Sequence, residues 1–152
     1  MNTVVILDNI RSVHNVGSLF RTCEGAGVSK LYLCGVTPSP KDRFGRVRSD
    51  IAKVALGTEN LVPCEEITDT QTCITKLKSE GYVIVAVEQD ARSKDFKSFV
   101  QKEKTAFVFG EETKGLSKEI LDMCDEILEI PMQGEKESLN VSVSAGIILF
   151  SR

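Results

Sequence analysis

The chain has 152 residues, 41% hydrophobic and 27% charged, with a formal net charge of −3, which suits one domain of ordinary soluble composition with a real core. No apolar run approaches the roughly 18–20 residues that span a bilayer. The N-terminal MNTVVILDN lacks the basic lead-in and long apolar stretch of a signal peptide, so the sequence predicts a cytoplasmic protein. Cys23, Cys34, Cys64, Cys73 and Cys124 are odd in number and form no CxxC pair, and His14 is the single histidine. They read as reduced thiols, and neither a disulfide framework nor a metal site is expected.

Along the chain, apolar runs alternate with helix-like segments. Strands are predicted at 3–7, 30–35, 60–64, 82–88, 105–110 and 126–132, and helices at about 15–26, 48–56, 68–80, 117–124 and 139–151. Gly27, Gly57 and Gly81 fall just past helix ends, and Thr68 and Ser117 are candidate N-caps. Strands apolar throughout, separated by helices, predict a mostly parallel sheet with helices on both faces. No repeat or linker divides the chain, so residues 1–152 are expected to form a single domain. In such a sheet ligands sit beyond the carboxyl ends of the strands, which directs attention to the loops after 82–88, 105–110 and 126–132.

Charge is unevenly spread. Residues 1–57 carry eight Lys/Arg against four Asp/Glu, and residues 58–152 carry 11 against 18. Lys41, Arg43, Arg46, Arg48 and Lys53 make 41–53 a basic segment. It is either an ordinary solvated loop or a track for phosphates. The common enzyme signatures are absent: no GxGxxG follows a strand, and GEETKGLS (110–117) has Leu116 where a phosphate loop needs lysine.

Three other segments stand out: NIRSVHNVGSLFRTCEGAG (9–27), FVFGEETKGLS (107–117) and EIPMQGEKESLNVSVSAGIILF (129–150). In the first, Asn15 and Gly17 suit a tight turn and helix start, with Arg21 further along the helix. In the second, a strand ends at Gly110 and runs through two carboxylates to Gly115, a residue that lets backbone approach a ligand. In the third, Pro131 closes a strand before Ser138-Leu139-Asn140 leads into an apolar helix.

Together these segments resemble the three motifs of the SpoU-type branch of the SPOUT superfamily of RNA methyltransferases. The likeness runs from Asn9 to Gly146, in the family's order and spacing, and KVALGTENLVP (53–63) is similar to its middle stretch. The resemblance implies an α/β domain whose C-terminal part forms a deep trefoil knot, working as a homodimer. It implies S-adenosyl-L-methionine as cofactor, held by Val87, Glu88, Gly110, Glu111, Gly115, Ile130, Met132, Ser138 and Leu139. It further implies methyl transfer to a ribose 2′-hydroxyl of RNA, with Arg21, Glu112, Ser138 and Asn140 as the catalytic set. Of the two RNA classes left open, tRNA is expected in preference to rRNA.

A guanidinium stays protonated in proteins, so Arg21 is assigned to a phosphate or a developing alkoxide rather than to general-base duty. Glu112, selected over Glu111 by its spacing to Gly110 and Gly115, is expected to position Arg21 through a charge-assisted pair. RNA contacts are expected from Asn15, Arg21, Lys41, Arg43, Arg46 and Arg48. Each assignment has a plainer counterpart: Arg21 as an exposed helix arginine, Glu112 as a solvated acid, Ser138, Asn140 and Asn15 as helix caps, Gly110 and Gly115 as turn glycines. His14, whose imidazole has the chemistry of a base, reads more plainly as a surface or packing residue. Two other functions stay open, a catalytically idle RNA-binding dimer and a methyltransferase acting on a base. The intact set of four residues speaks against the first, and the SLN motif with the Arg21 segment against the second.

Overall fold

A computed structural model describes Met1–Arg152. Its chain order is β1 (Asn2–Asp8), α1 (Val13–Gly25), β2 (Lys30–Cys34), α2 (Ser49–Ala55), β3 (Cys64–Ile67), α3 (Thr70–Ser79), β4 (Val83–Val87), β5 (Lys94–Asp95), β6 (Lys104–Gly110), α4 (Lys118–Met123), β7 (Glu126–Glu129) and α5 (Val141–Ser151). The seven strands form one sheet in the order β3-β2-β1-β6-β4-β7-β5, and every pairing is parallel. Parallel neighbours need crossover connections, and the helices that make them cover both faces.

Alternation along each strand assigns side chains to the two faces. Val5, Leu7, Phe107 and Phe109 point into a core shared with Val16, Leu19 and Phe20 of α1, Ile51 of α2 and Ala145 and Ile148 of α5. Val4, Ile6, Ala106 and Val108 face the opposite core, filled by Ile74 and Leu77 of α3 and Ile120 and Leu121 of α4. Helix α1 packs closely on α2 because Gly17 lacks a side chain: a Cβ there would lie 2.8 Å from Cβ of Val54.

Several predicted boundaries move. Helix α1 begins at Val13, capped by Ser12, whose Oγ accepts the Asn15 N–H, so Asn15 and Gly17 lie inside the helix rather than at a turn before it. Asp69, not Thr68, caps α3, its carboxylate accepting the Thr72 N–H; an Asx side chain one residue closer to the first turn wins the cap. Ser117 caps α4 as expected. The strand predicted at 60–64 lies instead at Cys64–Ile67. Residues 58–60 form a 3-10 turn, and Pro63 can only accept, from Leu31 N–H at 2.9 Å. The last strand stops at Glu129, which leaves Ile130 to Met132 in the following loop.

Because all strands run the same way, the loops after β1, β2, β4, β6 and β7 gather at one edge of the sheet. No helix is long and apolar enough to cross a membrane.

Candidate active site

Between the loops after β4, β6 and β7 lies an open cleft. Its apolar wall is made by Val87, Phe109, Ile130, Met132, Leu139 and Val141, and its polar wall includes Gln89, Ser138 and Ser144. Four of its 14 lining residues are carboxylates, Glu88, Glu111, Glu112 and Glu129, and none is basic. Such a lining disfavours a phosphate-bearing nucleotide and suits a ligand with an apolar or aromatic body and positive charge. The structure thus brings together Val87, Glu88, Gly110, Glu111, Ile130, Met132, Ser138 and Leu139, eight of the nine residues expected around the cofactor. Gly115 does not line the cleft. Gln89, Phe109, Glu129, Val141 and Ser144 were not anticipated; their only signal was position at or beside strand ends or in the first turn of the last helix.

Gly115 works from behind. It has φ of +63°, and a Cβ there would run into the Glu88 carboxylate. That carboxylate accepts the Leu116 N–H at 2.8 Å through Oε1 and the Gln89 N–H at 3.1 Å through Oε2. Glu88 therefore latches the loop after β6 to the loop after β4. Gly110 is tight as well, since a Cβ would lie 2.8 Å from Leu116 Cδ2. Glu111 turns the loop by bridging to Gly115 and pairs with Arg11 at 3.5 Å.

At the rim the three sequence motifs meet in one hydrogen-bond cluster. Glu112 Oε1 accepts from Asn15 Nδ2 at 3.1 Å and from Asn140 Nδ2 at 3.0 Å, and Asn140 Nδ2 also donates to Asn15 Oδ1 at 3.2 Å. The other end of the Asn140 amide caps α5, with Oδ1 accepting the Ser142 N–H at 2.9 Å. Asn140 is thus both cap and cluster member. Asn15 is not a cap; its side chain belongs to the cluster.

Arg21 does not join them. It is exposed and forms no ion pair with Glu112, so the expected Arg21–Glu112 pair is absent within the chain. The helix explains why: six residues beyond Asn15, Arg21 lies about 9 Å along the axis and is rotated about 120° away. His14, one position before Asn15, is also exposed. Lys41, Arg43, Arg46 and Arg48 lie together on the loop after β2, at the same sheet edge as the cleft.

A second, polar cavity of about 450 Å³ adjoins the cleft and shares Glu111 with it. Asp8, at the end of β1, lines it and is 7% exposed. Burial pushes its carboxyl up, opposed by the hydrogen bond from the Thr70 hydroxyl and reinforced by Glu111. No three His, Cys, Asp or Glu side chains are grouped as metal ligands.

A Staphylococcus haemolyticus protein assigned to the TrmH family of tRNA/rRNA methyltransferases is 33% identical over 150 residues, 99% of this chain and 57% of that protein. A Staphylococcus aureus (strain MRSA252) relative of the same name is 31% identical and is covered over 58% of its length. The chain therefore spans little more than half the length of these curated relatives. Among solved structures, the A. aeolicus TrmH/SpoU tRNA modifying enzyme superposes with a TM-score of 0.85 at 30% identity, over 99% of this chain and 73% of that one. The AdoMet-bound rRNA methyltransferase of Sinorhizobium meliloti gives 0.89 at 27%, over 99% and 55%. The model of the SpoU rRNA methylase family matches residues 2–150, from the first strand to the last helix, and the chain belongs to that family.

Proposed function

We propose that the protein is an RNA methyltransferase that uses S-adenosyl-L-methionine to methylate a ribose 2′-hydroxyl, on tRNA in preference to rRNA. The observation that carries this reading is the Asn15–Glu112–Asn140 cluster at the rim of an anionic, half-apolar cleft. The cleft suits this cofactor because an adenine would find the apolar wall while the cationic sulfonium and ammonium would find carboxylates. The AdoMet-bound Sinorhizobium meliloti neighbour supports the same reading.

When bound, the cofactor supplies a methyl group already activated by the sulfonium charge. A ribose hydroxyl is a weak nucleophile, so the protein must orient it, assist loss of its proton and exclude water. Asn15 and Asn140 fix the Glu112 carboxylate through Oε1, leaving Oε2 free of partners within the chain to receive an incoming donor. Ser138, on the cleft wall two residues before Asn140, is placed to hydrogen-bond ribose or cofactor. Arg21 stabilises a phosphate or the developing alkoxide, with the proton leaving through phosphate or water.

Since Arg21 points away from its own cluster, a second copy would supply it. An apolar stripe at Val143, Ile147 and Phe150 supports a homodimer: α5 is hydrophobic on every side, and Val143 and Phe150 remain 49% and 64% exposed. The trefoil knot is supported by strand order. The connection from β4 to β6 runs out to β5, beyond the place of β7, and the chain later inserts β7 between β4 and β5 before returning to α5. Five free thiols are in keeping with a cytoplasmic location.

Mass-spectrometric nucleoside analysis of RNA from cells lacking the protein tests the reading. The expected result is loss of one 2′-O-methylated nucleoside, restored by the wild-type chain and not by Arg21→Ala. Loss of a base-methylated nucleoside instead would move the assignment to base methylation. An unchanged profile, together with no calorimetric binding of S-adenosylmethionine, would leave an idle RNA-binding dimer.

A further inference from the structure

The loop between β2 and α2 closes as a small hairpin. Lys41 and Val47 form an antiparallel bridge, and Asp42 pins the turn between them. Its Oδ1 accepts the Phe44 and Arg46 backbone N–H groups at 2.8 and 3.0 Å, and its Oδ2 accepts Arg46 Nε at 3.0 Å. The Arg46 N–H, ahead of the Phe44 N–H and the Arg46 side chain, holds the Asp42 carboxyl below its ordinary range, so the pin stays charged at neutral pH.

At the tip stands Phe44, 67% exposed. The guanidinium carbons of Arg43 and Arg46 lie 4.9 and 5.0 Å from its ring centroid. Asp42 pairs with Arg46 and Asp50 with Arg48, whereas Lys41 and Arg43 have no carboxylate partner. An exposed ring with two guanidinium groups over it, on a turn already ordered by its own hydrogen bonds, offers planar groups on which a π-system can stack and charges for the phosphates beside it. A protein interface would want the ring's surroundings apolar and dehydrated, and four cations within eight residues oppose that.

We infer that Phe44, flanked by Arg43 and Arg46, is a stacking platform for an unpaired base of the substrate RNA. The inference rests on the RNA methyltransferase reading above. Its place at the sheet edge that carries the cleft lets one RNA segment engage both.

The chain contains no tryptophan, so Phe44→Trp introduces a single reporter that keeps an aromatic face. The probe is total RNA from cells lacking the protein, with binding measured separately by filter retention. Stacking shortens the Trp emission lifetime, saturating at the same RNA concentration as binding. Phe44→Ala and Phe44→Leu, both at an exposed position, weaken binding about fivefold to 150-fold, equivalent to about 1–3 kcal/mol for one stacked base, while leaving the salt slope unchanged. Arg43→Gln lowers that slope by about one charge. An unchanged lifetime on an RNA-saturated protein, or wild-type affinity in Phe44→Leu, overturns the platform and leaves the methyltransferase reading standing. A blue-shifted emission that reddens on dilution of the free protein would assign the ring to a contact between copies and overturn it too. No RNA retention by the wild-type protein would remove both readings together.

Discussion

Substituting Gly115 by alanine separates two costs that the structure superimposes at one position. The first is backbone strain, since an L side chain at φ of +63° costs on the order of 1 kcal/mol. The second is displacement of Glu88, whose carboxylate occupies the space a Cβ would need. Moving it strands the Leu116 N–H, on a residue only 6% exposed, and an unsatisfied buried donor costs about 1–3 kcal/mol. The expected total is about 2–4 kcal/mol, which for a domain of this size lowers Tm by roughly 4–16 °C. Gly57→Ala is the internal reference: its φ is +91° but nothing lies within 4 Å of the added Cβ, so it reports strain alone. Gly134→Ala, open and with ordinary φ, should be close to neutral. Urea titration of the three variants measures the differences, and calorimetric titration with S-adenosylmethionine should show weakened binding in Gly115→Ala alone, because the latched loop forms one wall of the cleft. If Gly115→Ala costs no more than Gly57→Ala, the Glu88 latch contributes nothing and its role in shaping the cleft is wrong.

Mixing an Arg21→Ala chain with an Asn140→Ala chain tests the shared site: random remixing makes about half the dimers mixed, each with one undamaged site of two, so about a quarter of wild-type activity returns. No recovery after verified subunit exchange would mean that each site is built within one chain. Asp8→Asn should stabilise the protein at neutral pH. The Asp8 carboxyl titrates above its ordinary value of 3.8 in the fold, so its contribution is full below about 3.8 and is lost as pH rises through the folded value. Urea midpoints measured across this range should fall less with pH in the variant; parallel curves would count against a burial-raised Asp8. Methyl transfer should persist in EDTA, since activation resides in the sulfonium; loss of activity that zinc or magnesium restores would contradict this.

Much of the architecture was legible along the chain because it rests on local rules. Unbroken apolar strands such as TVVIL and AFVF are buried on both faces, and glycines at 27, 57 and 81 end helices with positive φ. The second and third motifs and the loop after 82–88 also pointed to the cleft, because the residues that line it cluster at strand ends, where a parallel sheet gathers its loops. What periodicity could not supply is which distant groups share an atom. Asn15, Glu112 and Asn140 are separated by 97 and 28 residues, yet their amides converge on one carboxylate oxygen. Likewise the sequence offers Glu88 only as a cleft residue, and only the fold shows that its carboxylate also accepts the Leu116 N–H and abuts Gly115. Arg21 stands in the right motif, but the pitch of its helix turns it away from that motif's own cluster. Motif and period specify which residues are available at the sheet edge; hydrogen-bond partnership depends on rotation about a helix axis and on strand order, and only the folded chain decides those.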